Sequence, residues 1–173
     1  MQHLRLNKEN KLWKVGFCLS VTLVLTANVP AQRKTDPSDK KFAAALEAQI
    51  SCRQKLQPSK AIRALQNAGI LPRHPYNSVD SVNYFRIKKP LSVWGLKVFS
   101  VLGFDNNPKI FERGPGTSPG ILLGVVVPYP VDEVKSKLKD LDRQKITIQE
   151  ATDEIGISRT PHIRTEIFCE GGW

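Results

Sequence analysis

Apolar residues recur at a helical spacing up to about residue 70 and at every second position beyond it, so the pattern divides the chain into helices followed by strands. Phe42, Leu46 and Ile50 stand four residues apart, with Ala45, Gln49, Cys52 and Leu56 beside them. This predicts a helix with one buried stripe and Cys52 at its edge. Asp36 is placed to cap that helix, Pro37 takes its first position, where a missing N–H costs nothing, and Asp39 faces its positive end. Pro58-Ser-Lys60 breaks it and opens a shorter helix carrying Ile62, Leu65 and Ala68. Gly69 then stands where a left-handed C-terminal residue belongs, followed by Ile70 as its apolar contact. The two together predict a helical hairpin.

Leu71 to Ser78 holds two prolines and reads as an extended connector. Val82 to Ile87 predicts a strand, closed by Lys88-Lys-Pro90. Leu91 to Phe104 predicts another, with Trp94, Leu96, Val98, Leu102 and Phe104 on one face and Val93, Lys97, Phe99 and Val101 on the other. That strand is long, so a bend at Gly95 or Gly103 is expected. Asp105-Asn-Asn-Pro108 is turn chemistry, and Lys109 to Arg113 begins a return strand. Ile121 to Val127 has no polar alternation, as a central strand covered on both faces requires. Val131 to Leu141 is helical again: Val131, Val134, Leu138 and Leu141 share a stripe, with acids in the first turn and lysines later. Lys145 to Gln149 predicts a short strand, Ala151 to Pro161 is irregular, and His162 to Cys169 closes the sheet by alternation.

The order of elements predicts an α+β domain. An N-terminal helical hairpin packs on a mainly antiparallel sheet of four to six strands, with one further helix before the last strand. Most strand connections are too short for parallel crossovers.

Composition adds an address. Arg5, Lys8, Lys11 and Lys14 precede an apolar run from Val15 to Ala27, and Val29-Pro-Ala31 places small residues for cleavage before Gln32. That is the three-part secretory pattern, so residues 1–31 read as a signal peptide and 32–173 as a single α+β domain. The apolar run falls short of the roughly 18 to 20 residues of a membrane span, although an uncleaved anchor is the competing reading. The whole chain has 26 Lys+Arg and 16 Asp+Glu; without Arg5, Lys8, Lys11, Lys14 and Glu9 the remainder holds 22 against 15, a surplus of seven positive charges. This favours anionic partners, among which nucleic acid is disfavoured by the address. Cys52 and Cys169 are the two cysteines left, and an even pair in an exported chain predicts a disulfide rather than a redox or metal site.

Candidate chemistry is sparse. Arg113-Gly-Pro-Gly-Thr-Ser-Pro-Gly120 is no phosphate cradle: two prolines lack N–H groups, no Gly-Lys-Ser/Thr closes it, and a strand follows instead of a helix. It reads as a strand connection whose Arg113, Thr117 and Ser118 offer donors to a partner. Arg86-Ile-Lys-Lys-Pro90 gives a second exposed tip, with Arg86, Lys88 and Lys89 as anion contacts, or else a solvated hairpin end. Tyr84, Phe85 and Trp94 around it read as core. A Gly-x-Ser-x-Gly elbow is missing, His74 and His162 have no partner at a recognisable spacing, and Asp132/Glu133 and Asp153/Glu154 read as exposed charges. No metal or cofactor is expected.

The sequence therefore points to an exported bacterial binding domain, periplasmic or secreted and without catalytic activity. It would engage a partner protein or an anionic envelope component, as an inhibitor, immunity or envelope-assembly factor does. An envelope hydrolase or transferase whose residues converge only in the fold is one alternative. A protein that contacts anionic lipid or lipopolysaccharide is another. No membrane span is expected after signal cleavage, and nothing in the sequence sets an oligomeric state.

Overall fold

Helix α1 (Pro37–Ile50) begins at the proline that the sequence marks, and α2 (Pro58–Asn67) begins at the next one. The computed structural model of the chain describes residues 37–114, 120–141, 145–151 and 164–171. The signal-like segment, Asp36, the tip at Thr117 and Ser118, and the Asp153/Glu154 pair lie outside these. Leu46 and Ile50 of α1 and Ile62 and Leu65 of α2 are buried, which is the inward stripe of each helix. Gly69 ends α2 with φ +69°, and the Ile70 N–H donates back to the Leu65 carbonyl at 2.9 Å. These are the left-handed residue and six-to-one bond of a Schellman stop. The start of α2 is held by Asp105, whose carboxylate accepts from the Ser59 N–H (2.9 Å) and the Ser59 hydroxyl.

The strands are β1 (Asn77–Val79), β2 (Val82–Arg86), β3 (Ser92–Val93), β4 (Leu96–Lys97), β5 (Ser100–Phe104) and β6 (Ile121–Val127). After α3 (Val131–Lys137) come β7 (Ile146–Glu150) and β8 (Thr165–Gly171). Six of them form one antiparallel sheet in the order β1-β2-β5-β6-β8-β7. This is the expected α+β architecture. β6 is central, and Leu122 to Val127 are buried throughout, as its unbroken apolar run requires.

Four details depart from the sequence reading. The connector ending at Ser78 does not stay unpaired, because Asn77–Val79 becomes edge strand β1 through a two-residue turn at Asp80 and Ser81, both with positive φ. The long strand from Leu91 to Phe104 is really three. Trp94 (φ 48°) and Gly95 (φ 70°) form a left-handed two-residue turn that folds β3 onto β4, and β5 starts afresh at Ser100. The Glu47 side chain stabilises this turn by accepting the Trp94 N–H. Lys109 to Arg113 is not a strand. The buried Asn83 amide accepts from the Glu112 N–H and donates to the Glu112 carbonyl, both at 2.8 Å, and so substitutes for a neighbouring strand. Finally, α3 ends at Lys137, before the predicted Leu141.

Registration fixes what each face carries. Phe85, Val101, Val125, Ile167 and Ile148 lie directly opposite one another across β2, β5, β6, β8 and β7. The first four belong to the main core and Ile148, partly buried, packs against it; α1, α2 and α3 contribute Leu46, Ile50, Ile62, Leu65 and Val134. Because side chains alternate along a strand, the residues on either side of this row point away from the helices. Cys52 and Cys169 form a disulfide with Cα atoms 5.5 Å apart, joining the end of α1 to β8 across 117 residues of sequence. Among the described residues no helix is long and apolar enough to cross a membrane.

Candidate functional site

The second face of the sheet has a core of its own, built from Tyr84, Leu102, Leu122, Val126 and Phe168, with Tyr76, Val79, Val82, Phe99 and Ala151 packed around it. Gly124 sits in the middle, and a Cβ there would come within 2.4 Å of the Phe168 Cβ, so glycine is what lets Phe168 lie against β6. Beside this aromatic floor runs a polar row. Arg86, Ser100, Val126, Glu166 and Gln149 are directly opposite one another across the same five strands.

Half of this row is internally satisfied. Glu166 is 5 % exposed, and its two carboxylate oxygens accept from the Tyr84 hydroxyl (2.9 Å) and the Gln149 amide (3.1 Å). Burial raises the Tyr84 pKa far above the usual tyrosine range, and the neighbouring Glu166 charge raises it further. The hydroxyl therefore stays a donor.

The other half is not satisfied. Arg164, immediately before β8, places its guanidinium carbon 4.0 Å from the centre of the Phe99 ring, and Arg86 places its own 4.8 Å from the same ring. Arg86 is exposed, whereas Arg164 is 8 % exposed, covered without lying deep. Burial lowers the Arg164 pKa and the like charge of Arg86 adds to the effect, although Tyr76 opposes both. Neither guanidinium has a carboxylate within salt-bridge distance among the described residues. On the same face the Ser100 and Tyr76 hydroxyls are buried with no partner beyond each other, while the Ser78 hydroxyl, also buried without a partner, stands opposite Asn83 and so faces the helices. Burial raises the Tyr76 pKa while nearby Ser100, Arg164 and Arg86 pull it down, so this hydroxyl too is a donor at neutral pH. Unmet buried polar groups each cost about 1 to 3 kcal/mol.

The residues singled out in the sequence separate in the fold. Arg86 joins this site. Lys88 and Lys89 are exposed, but the Lys89 ammonium donates to the Ala68 carbonyl at 2.7 Å and so helps to end α2. Arg113 lies at the opposite end of β2, following the Glu112–Asn83 clamp and lining a cleft of about 410 Å³ with Phe104, Asp105 and Phe111. Thr117 and Ser118 lie outside the described residues. Arg86 and the residues around Arg113 thus stand apart: Asn83 and Arg86 are three residues apart on β2, roughly 10 Å at strand spacing. Phe99, Ser100, Tyr76, Arg164 and Glu166 escaped the sequence reading. The signal that could have found the last two is the alternation Arg164-Thr-Glu166, which puts two charges on the face shared by Phe168 in a strand buried from Thr165 to Cys169.

Other concave places carry less. A cleft of about 470 Å³ beside the disulfide is lined by Lys55, Lys145 and Glu170, and one of about 220 Å³ lies between α1 and α2. Among the described residues no three His, Cys, Asp or Glu side chains stand close enough to hold a metal. No family model, characterised protein or solved structure matches this chain.

Proposed function

We propose that the chain is an exported binding domain, periplasmic or secreted, that engages an anionic group on a partner protein or envelope component through the second face of its sheet. The observation that carries this reading is the pair Arg86 and Arg164. The two guanidiniums share one aromatic ring, and among the described residues neither has a carboxylate within salt-bridge distance. An interior arranged only for stability pairs its buried charges, since an unpaired one is costly. Export is supported by the charged start, the short apolar run and Val29-Pro-Ala31, and the Cys52–Cys169 bridge suits an oxidising compartment.

The test has two parts. N-terminal sequencing of the chain recovered from an envelope fraction should begin at Gln32; a start at Met1 overturns the cleavage. Immobilised wild-type protein should retain a partner that the Arg86→Gln/Arg164→Gln double variant releases at the same salt concentration. Equal retention by both places recognition on another surface.

A further inference from the structure

We propose that the groove between α1 and α2 is a second docking surface, and that its occupant is an acidic amphipathic helix of a partner protein. The groove lies on the helices, apart from the arginine pair, and is independent of the reading above. Phe42, Ala45 and Leu46 of α1 line it on one side, and Ala61, Ala64 and Leu65 of α2 on the other. Leu46 and Leu65 are buried, Phe42 and Ala61 half-buried, and Ala45 and Ala64 exposed, so hydrocarbon runs from the core out to solvent. The hollow measures about 220 Å³. A cavity of about 150 Å³ already accepts benzene, so this one takes a side chain the size of leucine or phenylalanine.

Charge decides the kind of helix. Lys55 and Lys60, both exposed, line the same groove, and among the described residues no acid does. The acids of neighbouring elements are engaged elsewhere. Glu47 accepts the Trp94 N–H, Asp105 accepts from Ser59 and Asn107, and Glu170 lines the cleft beside the disulfide, which shares Lys55 with the groove. Over residues 37–68, Lys40, Lys41, Arg53, Lys55, Lys60 and Arg63 stand against Asp39 and Glu47. That surplus of four is more than half of the seven carried beyond residue 31. Recessed hydrocarbon flanked by cations complements a helix with an apolar stripe and acids beside it. From Phe42 to Gln49 the groove follows α1 for about 10 Å, two helical turns, which apolar anchors at i, i+3, i+4 and i+7 span. A second copy of the chain would set the same lysines against each other across a two-fold axis. A bilayer takes up protruding apolar side chains, whereas this strip is recessed.

The experiment uses the full chain and the capped peptide EALEALLEALEA, followed by amide chemical shifts. The peptide should move the amides of Phe42, Ala45, Ala61 and Ala64. Its counterpart with Gln in place of Glu should bind about fivefold more weakly, the scale of two solvated ion pairs. That ratio should shrink toward one as salt rises from about 0.05 to about 0.5 M. A counterpart with Ser in place of Leu should not bind. No binding of the Glu peptide at millimolar concentration overturns the proposal, as do equal affinities of the Glu and Gln peptides or shifts confined to the second face of the sheet.

Ala64→Glu sets bulk and a negative charge in the groove at an exposed helical position. It should abolish peptide binding and leave the melting temperature nearly unchanged. Lys55→Glu/Lys60→Glu should weaken the Glu peptide at least about tenfold, and this pair decides if Ala64→Glu does not fold. Wild-type affinity in the variant that decides overturns the proposal. Arg86→Gln/Arg164→Gln should bind the peptide as the wild type does, and loss there moves the peptide to the other face and overturns it. Vesicles of phosphatidylglycerol that bind more tightly than the peptide assign the groove to a lipid surface. A dimer that Ala64→Glu dissociates assigns it to a second copy. Either result replaces the helix and overturns the proposal.

Discussion

On one face of the sheet Phe85, Val101, Val125, Ile167 and Ile148 stand side by side beneath the helices; one residue along each strand, the other face carries Arg86, Ser100, Val126, Glu166 and Gln149. The first row needs only volume and shape, since hydrocarbon contact is non-directional and grows with buried area. The second needs a partner for every polar atom. Where it has them, at Tyr84, Glu166 and Gln149, the face is fixed from within. At the two arginines the described residues supply no carboxylate, and this is the charge that the proposed partner would meet. One sheet thus carries a hydrocarbon core on one side and a mixed apolar and polar face on the other.

The sharpest way to test that division is to damage the stability side first. The disulfide fastens α1 to β8, and reducing it frees a long loop in the unfolded chain, so unfolding free energy should fall by about 4 to 5 kcal/mol on the loop-entropy model. Denaturant midpoints with and without reductant measure this. Phe85→Ala, at a fully buried position beneath the helices, should cost about 3 to 5 kcal/mol by the same measurement. Neither loss involves the guanidinium pair directly. A ligand that still binds the folded fraction with wild-type affinity supports the separation of the two faces.

Changes on the second face should be smaller and chemically specific. Tyr84→Phe leaves one Glu166 oxygen without its donor and should cost about 1.5 to 3 kcal/mol at neutral pH. It should also alter the alkaline limb. The folded-state pKa of Tyr84 lies above its unfolded value of 10.0, so the folded protein keeps this proton after the unfolded chain has lost it. Stability from this group is complete below pH 10 and declines as pH rises beyond it. The variant should show a shallower decline, read from melting temperatures across pH 9 to 11. Smallest of all, Arg86→Gln should change stability by no more than about 0.5 kcal/mol, because the side chain is exposed, while it weakens binding. A large loss of stability would make Arg86 a structural residue and break the comparison.

Elements were readable wherever chemistry was local. Pro37, Pro58 and Gly69 mark helix ends through constraints on their own backbone, and the apolar run at Ile121 marks a strand with both faces covered. At Gly95 the sequence led to a bend but not to the full reversal found there, because tryptophan is a poor residue for positive φ and the turn relies on Glu47, forty-seven positions away, to hold the Trp94 N–H. Asn83 was equally silent. Its amide replaces a strand for residues near Glu112, and nothing in the flanking sequence reveals that distant partner.

The sequence by itself determined the coarse succession of two helices, strands, a third helix and a closing strand, the antiparallel class, the pairing of Cys52 with Cys169 and the positive surplus, since each follows from period, loop length or composition. Only the tertiary structure decided which charges meet. Arg86 was visible as part of a basic cluster, yet registry across β2, β5, β6 and β8 separates it from Arg113 and brings it to Phe99, Ser100 and Arg164. Alternation along a strand tells which residues share a face. The side-by-side order of strands then decides which of them become neighbours, and that order is set by packing of the whole domain.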